Sequence, residues 1–275
     1  MIHLGQKQAD IYIPSQKPLE EVLANISHVA IGAHQDDIEL MAIDGIEQSL
    51  GKERFLAIVV TDGRGSPRSG PYQDYSDDQM QQLRIKEQQR AADMGQYGAV
   101  VQLAYSSLAL KQAQGDDQCV ADLKTILSLC PFHTLYTHAL FDRHQSHIAV
   151  VDHVLRAVAD LPKLQQNIQH AYGVEVWGSL DWVPQDFRKD IPVADVSLLQ
   201  ELIGVFESQI AGGKRYDQAI IGRLEANATF SRSHQVDNSP YLQYAMDLMP
   251  VISQKIDAQQ YKDKILQAFC AQAKR

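Results

Sequence analysis

The chain has 275 residues, 45% of them apolar and 21% charged, a soluble globular composition with enough material to bury a real core. A formal charge of −9 at pH 7 lacks the basic footprint that nucleic acid or an anionic membrane requires, though individual Lys and Arg remain free to hold an anionic part of a small substrate. Cys119, Cys130 and Cys270 form no CxxC pair, Met1 to Pro18 has no signal-peptide core, and no apolar run approaches the roughly 20 residues of a membrane span. The expectation is a cytoplasmic protein without disulfides.

In chain order, Ser27-His28-Val29-Ala30-Ile31 reads as a buried strand (27–33), followed by a helix from about Asp36 to Leu50. Residues 55–60 are continuously apolar, as in a strand covered on both faces. Residues 62–77, rich in Gly, Pro and Ser, form a long loop of the kind that carries function in compact domains. A helix is expected over 78–94 with Gly95 as its stop, then a strand at 100–103, a helix near 116–130 and a strand at 134–137. A helix at 147–161 and a strand at 172–177 follow.

Strand and helix alternate, which predicts an α/β fold: a Rossmann-like, doubly wound, mostly parallel sheet with helices on both faces. After Pro192 the pattern turns mainly helical. Ser197 is the candidate N-cap of a helix to about Ile210, and helices are expected over 214–228, 240–255 and 258–273. The reading is one domain, 1–275, with a core at about 26–195 and a helical part at about 196–275. That part is a cap, an interface of a homo-oligomer, or extra packing; no heptad register is long enough to specify an interface.

The chemistry concentrates at two strand ends. His34-Gln35-Asp36-Asp37-Ile38-Glu39 follows the first strand, and Asp142-Arg143-His144-Gln145-Ser146-His147 follows the strand at 134–137. Ligands of open α/β sheets bind outside the carboxyl ends of the strands. Taken alone, the first cluster reads as a helix cap beside a loop histidine, and the second as histidines on a helical first turn. Together they offer two histidines and a carboxylate, and catalytic zinc usually takes three protein ligands and keeps one position open for water. The turn at 32–37 also lacks the G-x-G-x-x-G of a dinucleotide-binding Rossmann protein.

His34-x-Asp36-Asp37-x-Glu39 with Asp142-Arg143-His144-x-x-His147 resembles the LmbE/PIG-L family of metal-dependent N-deacetylases. Val59-Val60-Thr61-Asp62-Gly63 and Arg84-x-x-Glu87, leading to Ala91 and Gly95, continue the resemblance, and Ser208-Gln209 extends it weakly to about residue 210. The resemblance implies metal ligands His34, Asp37 and His147, with His144 facing the substrate. It also implies an acetamido substrate of the N-acetylglucosamine type, as free sugar or glycoconjugate. Zinc is the expected metal, and iron(II) or cobalt would suit the same ligands.

Asp36, a spare carboxylate beside the metal, is the expected proton acceptor and donor. Arg143, Arg68 and Arg64 are candidates for holding substrate oxygens through a fixed guanidinium fork; an exposed, idle role is the competing reading for the two loop arginines. Glu39 is either an acceptor behind the ligands or a helix surface group, and Arg84 with Glu87 reads as an ordinary helix pair. His138, His170 and His234 read as structural, and Trp177 and Trp182 as core or interface.

Two positions depart from the family pattern. Gln35 replaces a proline, and Ser146 replaces an aspartate that would orient His144, a task for which Asp142 is the alternative. The alternatives to an N-acetyl sugar hydrolase are a hydrolase of a non-sugar acyl amide and a non-catalytic binding module of the same fold.

Overall fold

The computed structural model describes residues 2–112, 117–211 and 213–274. Its apolar runs become the middle of one sheet. Strand β1 (Asp10–Tyr12) and helix α1 (Leu19–Leu23) precede β2 (His28–Gly32), α2 (Asp37–Met41), α3 (Ile43–Ser49) and β3 (Phe55–Thr61). Then come α4 (Asp77–Met94), β4 (Ala99–Tyr105), α5 (Ser107–Gln112), α6 (Asp117–Leu127), β5 (Thr134–His138) and α7 (Gln145–Ala159). The remainder is α8 (Pro162–Asn167), β6 (His170–Val174), β7 (Arg188–Pro192), α9 (Val196–Gly204), α10 (Glu207–Ala211), α11 (Tyr216–Phe230), β8 (Leu242–Asp247), α12 (Met249–Ile252) and α13 (Ala258–Ala273).

The eight strands lie in the order β1-β4-β3-β2-β5-β6-β8-β7. The five from β4 to β6 run parallel, and β1, β8 and β7 add antiparallel pairings at the two sides. Every residue of β2, β3, β4 and β5 is buried, because helices cover both faces and alternate side chains enter different cores. Leu56, Ile58 and Val60 join α6, α7 and α13 on one side. Phe55, Ala57 and Val59 join α2, α3, α9 and α11 on the other. Each of the larger of these side chains contributes about 1.5–3 kcal/mol by leaving water, so the strand that feeds a site is held from above and below.

The helix expected at 78–94 starts on a capping box, with Ser76 Oγ accepting from Gln79 N while the Gln79 side chain accepts from Ser76 N. Gly95 is its C-cap. The helix expected over 36–50 is instead two, because Ala42 leaves helical geometry at φ −127°, ψ 27°. The cap of α9 is Asp195, whose carboxylate accepts from Ser197 N and Leu198 N, rather than Ser197.

The largest correction concerns 240–255. Leu242–Asp247 is a strand between β6 and β7, not a helix. Tyr244 and Met246 face one core and Ala245 the other, a period of two that outweighs the helical spacing of the apolar residues. The mainly helical C-terminal part therefore contributes a strand to the sheet. Among the described residues no helix is long and apolar enough to cross a membrane.

Candidate metal centre and its cavity

β2 and β5 are hydrogen-bonded parallel neighbours, so the turns at their carboxyl ends meet. In the first turn Gly32 is required by space, since a Cβ there would come within 3.0 Å of Asp37 Cβ. Asp36 then adopts φ 98°, a left-handed conformation that costs a non-glycine residue about 1–3 kcal/mol unless its surroundings enforce it. Here they do. The buried Arg84 guanidinium donates to the Gln35 carbonyl oxygen and to Asp36 Oδ2, the latter at 2.8 Å. The Gln35 side chain, in place of proline, donates to Gln102 Oε1 on β4 at 3.1 Å.

The second turn holds itself by local bonds. Asp142 Oδ1 accepts from His144 N at 2.8 Å and Oδ2 from Trp177 N at 3.1 Å. His144 is the N-cap of α7, its Nδ1 accepting from Ser146 N at 3.3 Å. A ring nitrogen that accepts carries no proton, so the neutral His144 ring has its proton on Nε2. Asp142 does not take the orienting role that Ser146 leaves open; its Oδ1 lies 3.3 Å from His147 Nδ1 instead.

Between the turns stand His34 Nδ1, Asp37 Oδ2 and His147 Nε2. Their separations are 3.1 Å (His34–Asp37), 3.3 Å (His147–Asp37) and 3.3 Å (His147–His34). Three ligands each about 2.0–2.1 Å from a tetrahedral ion stand about 3.3 Å apart, so the triangle has the size of a divalent-metal site. His138 and His144 also lie within ligand range of this cluster. His138 Nε2 already accepts from Ala33 N at 2.9 Å, and the ring stacks on His147 with centroids 3.7 Å apart. His138 thus serves as a wall of the site, tying the end of β5 to the end of β2.

Electrostatics separates the two adjacent aspartates. Burial drives the Asp36 carboxyl up to about 6, and the Arg84 charge limits that rise. For Asp37 burial is outweighed by His147 and His138, which hold it well below the ordinary range. Burial works against a charge on His147 as well, but Asp37 and Asp142 raise it to about 9, so a metal must displace a proton to bind there. Burial and the neighbouring His34 and His147 lower His144 to about 4.

Behind Asp36 the network continues away from the cavity. Arg84 Nη1 donates to Glu87 Oε2 at 2.9 Å, and Glu87 accepts from Ser208 N and Ser208 Oγ, both at 2.8 Å. The expected ordinary helix pair is therefore a buried ionic clamp. Glu39 is no surface group either: it is fully buried and accepts from Gln88 Nε2 and Tyr97 OH, both at 2.8 Å. Arg84-x-x-Glu87 and Ser208-Gln209 are separate fragments in the sequence, and the clamp is what joins them.

A cavity of about 580 Å³ opens onto His34, Asp36, Asp37 and His144. The three arginines proposed to hold substrate do not line it. Arg64 pairs with Asp78, Arg68 donates to the Arg64 carbonyl oxygen and to Asp77, and Arg143 is exposed. Among the described residues the cations that do line it are Arg84, Lys111, Lys214 and Arg223, and Trp177 and Tyr216 line it as well.

A His/Asp ligand triangle at the carboxyl edge of a mainly parallel sheet, with Asp37 and His147 buried and His34 open to a cavity, defines an α/β protein with a candidate metal centre. The PIG-L family model, described as GlcNAc-PI de-N-acetylase, matches residues 29–158, the span from β2 into α7 that contains both turns. Through this segment the chain is similar to the LmbE/PIG-L family. No curated protein matches it in sequence.

Among solved structures, it is similar to the N,N'-diacetylchitobiose deacetylase from Pyrococcus horikoshii, at 14% identity and TM-score 0.62, over 88% of this chain and 90% of that one. It is similar to the A40926 pseudoaglycone deacetylase Dbv21 at 15% identity and TM-score 0.58, over 81% and 97%. It is also similar to GalB, the 4-carboxy-2-hydroxymuconate hydratase from Pseudomonas putida KT2440, at 13% identity and TM-score 0.61, over 81% and 95%. These likenesses establish the fold, which hosts deacetylases and a hydratase alike, so function has to be argued from the site.

Proposed function

We propose that this protein is a metal-dependent hydrolase that removes the N-acetyl group from an N-acetylglucosamine-type sugar or glycoconjugate, releasing acetate and a free amine. The observation that carries the reading is the ligand-sized triangle of His34, Asp37 and His147 with the spare carboxylate of Asp36 beside it. The sugar and the acetyl group come from the family, whose model is described by a GlcNAc-PI de-N-acetylase.

His34, Asp37 and His147 hold the ion, zinc by preference, with iron(II) accepted by the same donors. When bound, the metal acts as a Lewis acid and makes hydroxide available near neutral pH. Asp36, lifted to about 6 by burial, takes the proton of the attacking water and returns it to the departing amine. Arg84 fixes one Asp36 oxygen at 2.8 Å and leaves the other for proton transfer. His144, neutral at pH 7 with its proton on Nε2, donates a hydrogen bond to the oxygen that gains charge as the acetyl carbon becomes tetrahedral. With Ser146 rather than an aspartate behind it, His144 acts as a hydrogen-bond donor and not as an acid. The reaction belongs in the cytoplasm, where the free thiols of Cys119, Cys130 and Cys270 persist.

The test is acetate release from N-acetylglucosamine derivatives by metal-stripped protein refilled with zinc. Zinc-dependent release is expected. Release only from non-sugar acyl amides would replace the substrate class, and failure to take up any divalent metal would remove the reading altogether.

A further inference from the structure

The outer wall of the cavity is charged against the trend of the chain. The sequence carries 34 Asp and Glu against 25 Lys and Arg, yet among the described residues Asp36 and Asp37 are the only carboxylates on the cavity lining, both at its metal end. Four cations line the same space. Arg84 is committed to Asp36 and Glu87, and Arg223 donates to the Val176 carbonyl oxygen. Lys111 at the end of α5 and Lys214 just before α11 are exposed, and among the described residues neither has a carboxylate partner.

Lys214 Nζ stands 4.9 Å from the Trp177 ring centroid. The backbone N–H of Trp177 is tied to Asp142, the carboxylate beside His147. One bond therefore links the metal end of the cavity to the platform that carries Lys214.

A wall built for sugar hydroxyls alone needs groups that accept as well as donate. An ammonium only donates, and two of them unpaired in a recess focus a positive potential that a neutral ligand leaves unanswered. We propose that the substrate carries an anionic group, phosphate or carboxylate, remote from its acyl amide, and that Lys214 and Lys111 bind it while Trp177 packs against the body between. This inference rests on the amide-hydrolase reading for the position of the amide, and on the cavity lining alone for the anion.

The experiment compares three substrates with the zinc-loaded protein: the methyl glycoside of N-acetylglucosamine, its 1-phosphate and its carboxymethyl glycoside. The expected result is a kcat/KM about tenfold higher for an anionic substrate than for the neutral one. The doubly substituted Lys111→Met/Lys214→Met protein should bring that ratio close to one through KM, and salt at about 0.5 M should do the same. Lys163→Met, on an exposed site outside the cavity, should leave the ratio unchanged. Whichever of phosphate and carboxylate gains more identifies the anion.

A ratio near one in the unsubstituted protein, or one that the double substitution does not move, overturns the proposal and leaves the deacetylase reading intact. If no glycoside is hydrolysed, calorimetric binding of the 1-phosphate decides. Binding lost in the double variant upholds the anion site while the deacetylase reading falls. Binding that is absent or unaltered overturns the anion site too.

Discussion

The same two strands bring histidines together at both ends, to opposite effect. At the amino ends of β2 and β5, His28 and His133 meet edge to face with centroids 5.0 Å apart. Ser27 Oγ lies 2.9 Å and Ser49 Oγ 3.3 Å from His28 Nδ1. The nearby carboxylate, Asp44, accepts from Tyr136 OH at 2.9 Å. At the carboxyl ends, Asp37 completes a triangle with His34 and His147, and a cavity opens onto it. On the proposed reading, a histidine of this fold can serve a metal where a carboxylate stands within ligand distance and an opening lets a reactant in. Without these, the same residue on the same strand is packing.

That contrast predicts where activity can be broken. At the carboxyl end the largest effect belongs to Asp36→Asn, which keeps the shape of the turn and removes the base. We expect kcat to fall by about 10²–10⁴-fold with bound zinc, counted by elemental analysis, unchanged. Loss of the metal along with the activity would instead make Asp36 part of the ligand set.

Arg84→Met should be felt mainly in stability. It strands two buried carboxylates, Asp36 and Glu87, and releases a left-handed backbone. Breaking a buried pair this way costs about 3–5 kcal/mol, read from the midpoint of denaturant unfolding at constant slope. A loss under about 1 kcal/mol, within the usual range of an exposed pair, would show that water replaces the guanidinium. Asp142→Asn comes next. It keeps one oxygen, enough for one of the two backbone bonds from His144 N and Trp177 N, and weakens the interaction with His147, so zinc affinity measured against a competing chelator should drop by about 10–100-fold. An unchanged affinity would assign Asp142 to capping alone.

How much of this was legible follows the same divide between local and distant. Strand β3 is legible as an unbroken apolar run, and β2 and β4 as short apolar stretches, the latter interrupted by Gln102. The two ligand turns could be read because each falls within a few residues of its strand, at 34–37 and 142–147. Edge strands could not: β1 is three residues long and β7 reads Arg-Lys-Asp-Ile-Pro, with a proline tolerated only where no neighbour needs its N–H.

β8 does not read as a strand because Leu-Gln-Tyr-Ala-Met-Asp has no strict alternation; it is buried from both sides, with Gln243 donating to the Leu40 carbonyl oxygen at 2.6 Å. The Arg84 clamp and the cavity lysines were hidden for another reason. Residues 36, 84 and 208 are brought together only by folding, and no spacing encodes which arginine among several ends beside the base. Arg64, Arg68 and Arg143 stand near the motifs in sequence, whereas the cavity draws its cations from α4, α5, α11 and the approach to α11.

The amino-end pair offers the smallest effect and the sharpest control. Burial, and after it the charge of His133, lowers His28 to about 4 from an ordinary 6.5. The unfolded chain therefore takes up a proton at this residue between pH 6.5 and 4 while the folded chain does not. By linkage, stability falls as pH drops through that window, with a slope of at most about 1.4 kcal/mol per pH unit from this one group. Below about pH 4 both states are protonated and the contribution is flat. His28→Gln has nothing to titrate, so the difference in unfolding free energy between the two proteins should grow across that window in favour of the variant and stay level above pH 7. Zinc content and kcat at pH 7 should not move, because the substituted ring lies at the opposite end of β2 from the ligands. A variant that lost zinc would break the comparison itself, by showing that the two ends of the strand pair are coupled through its length.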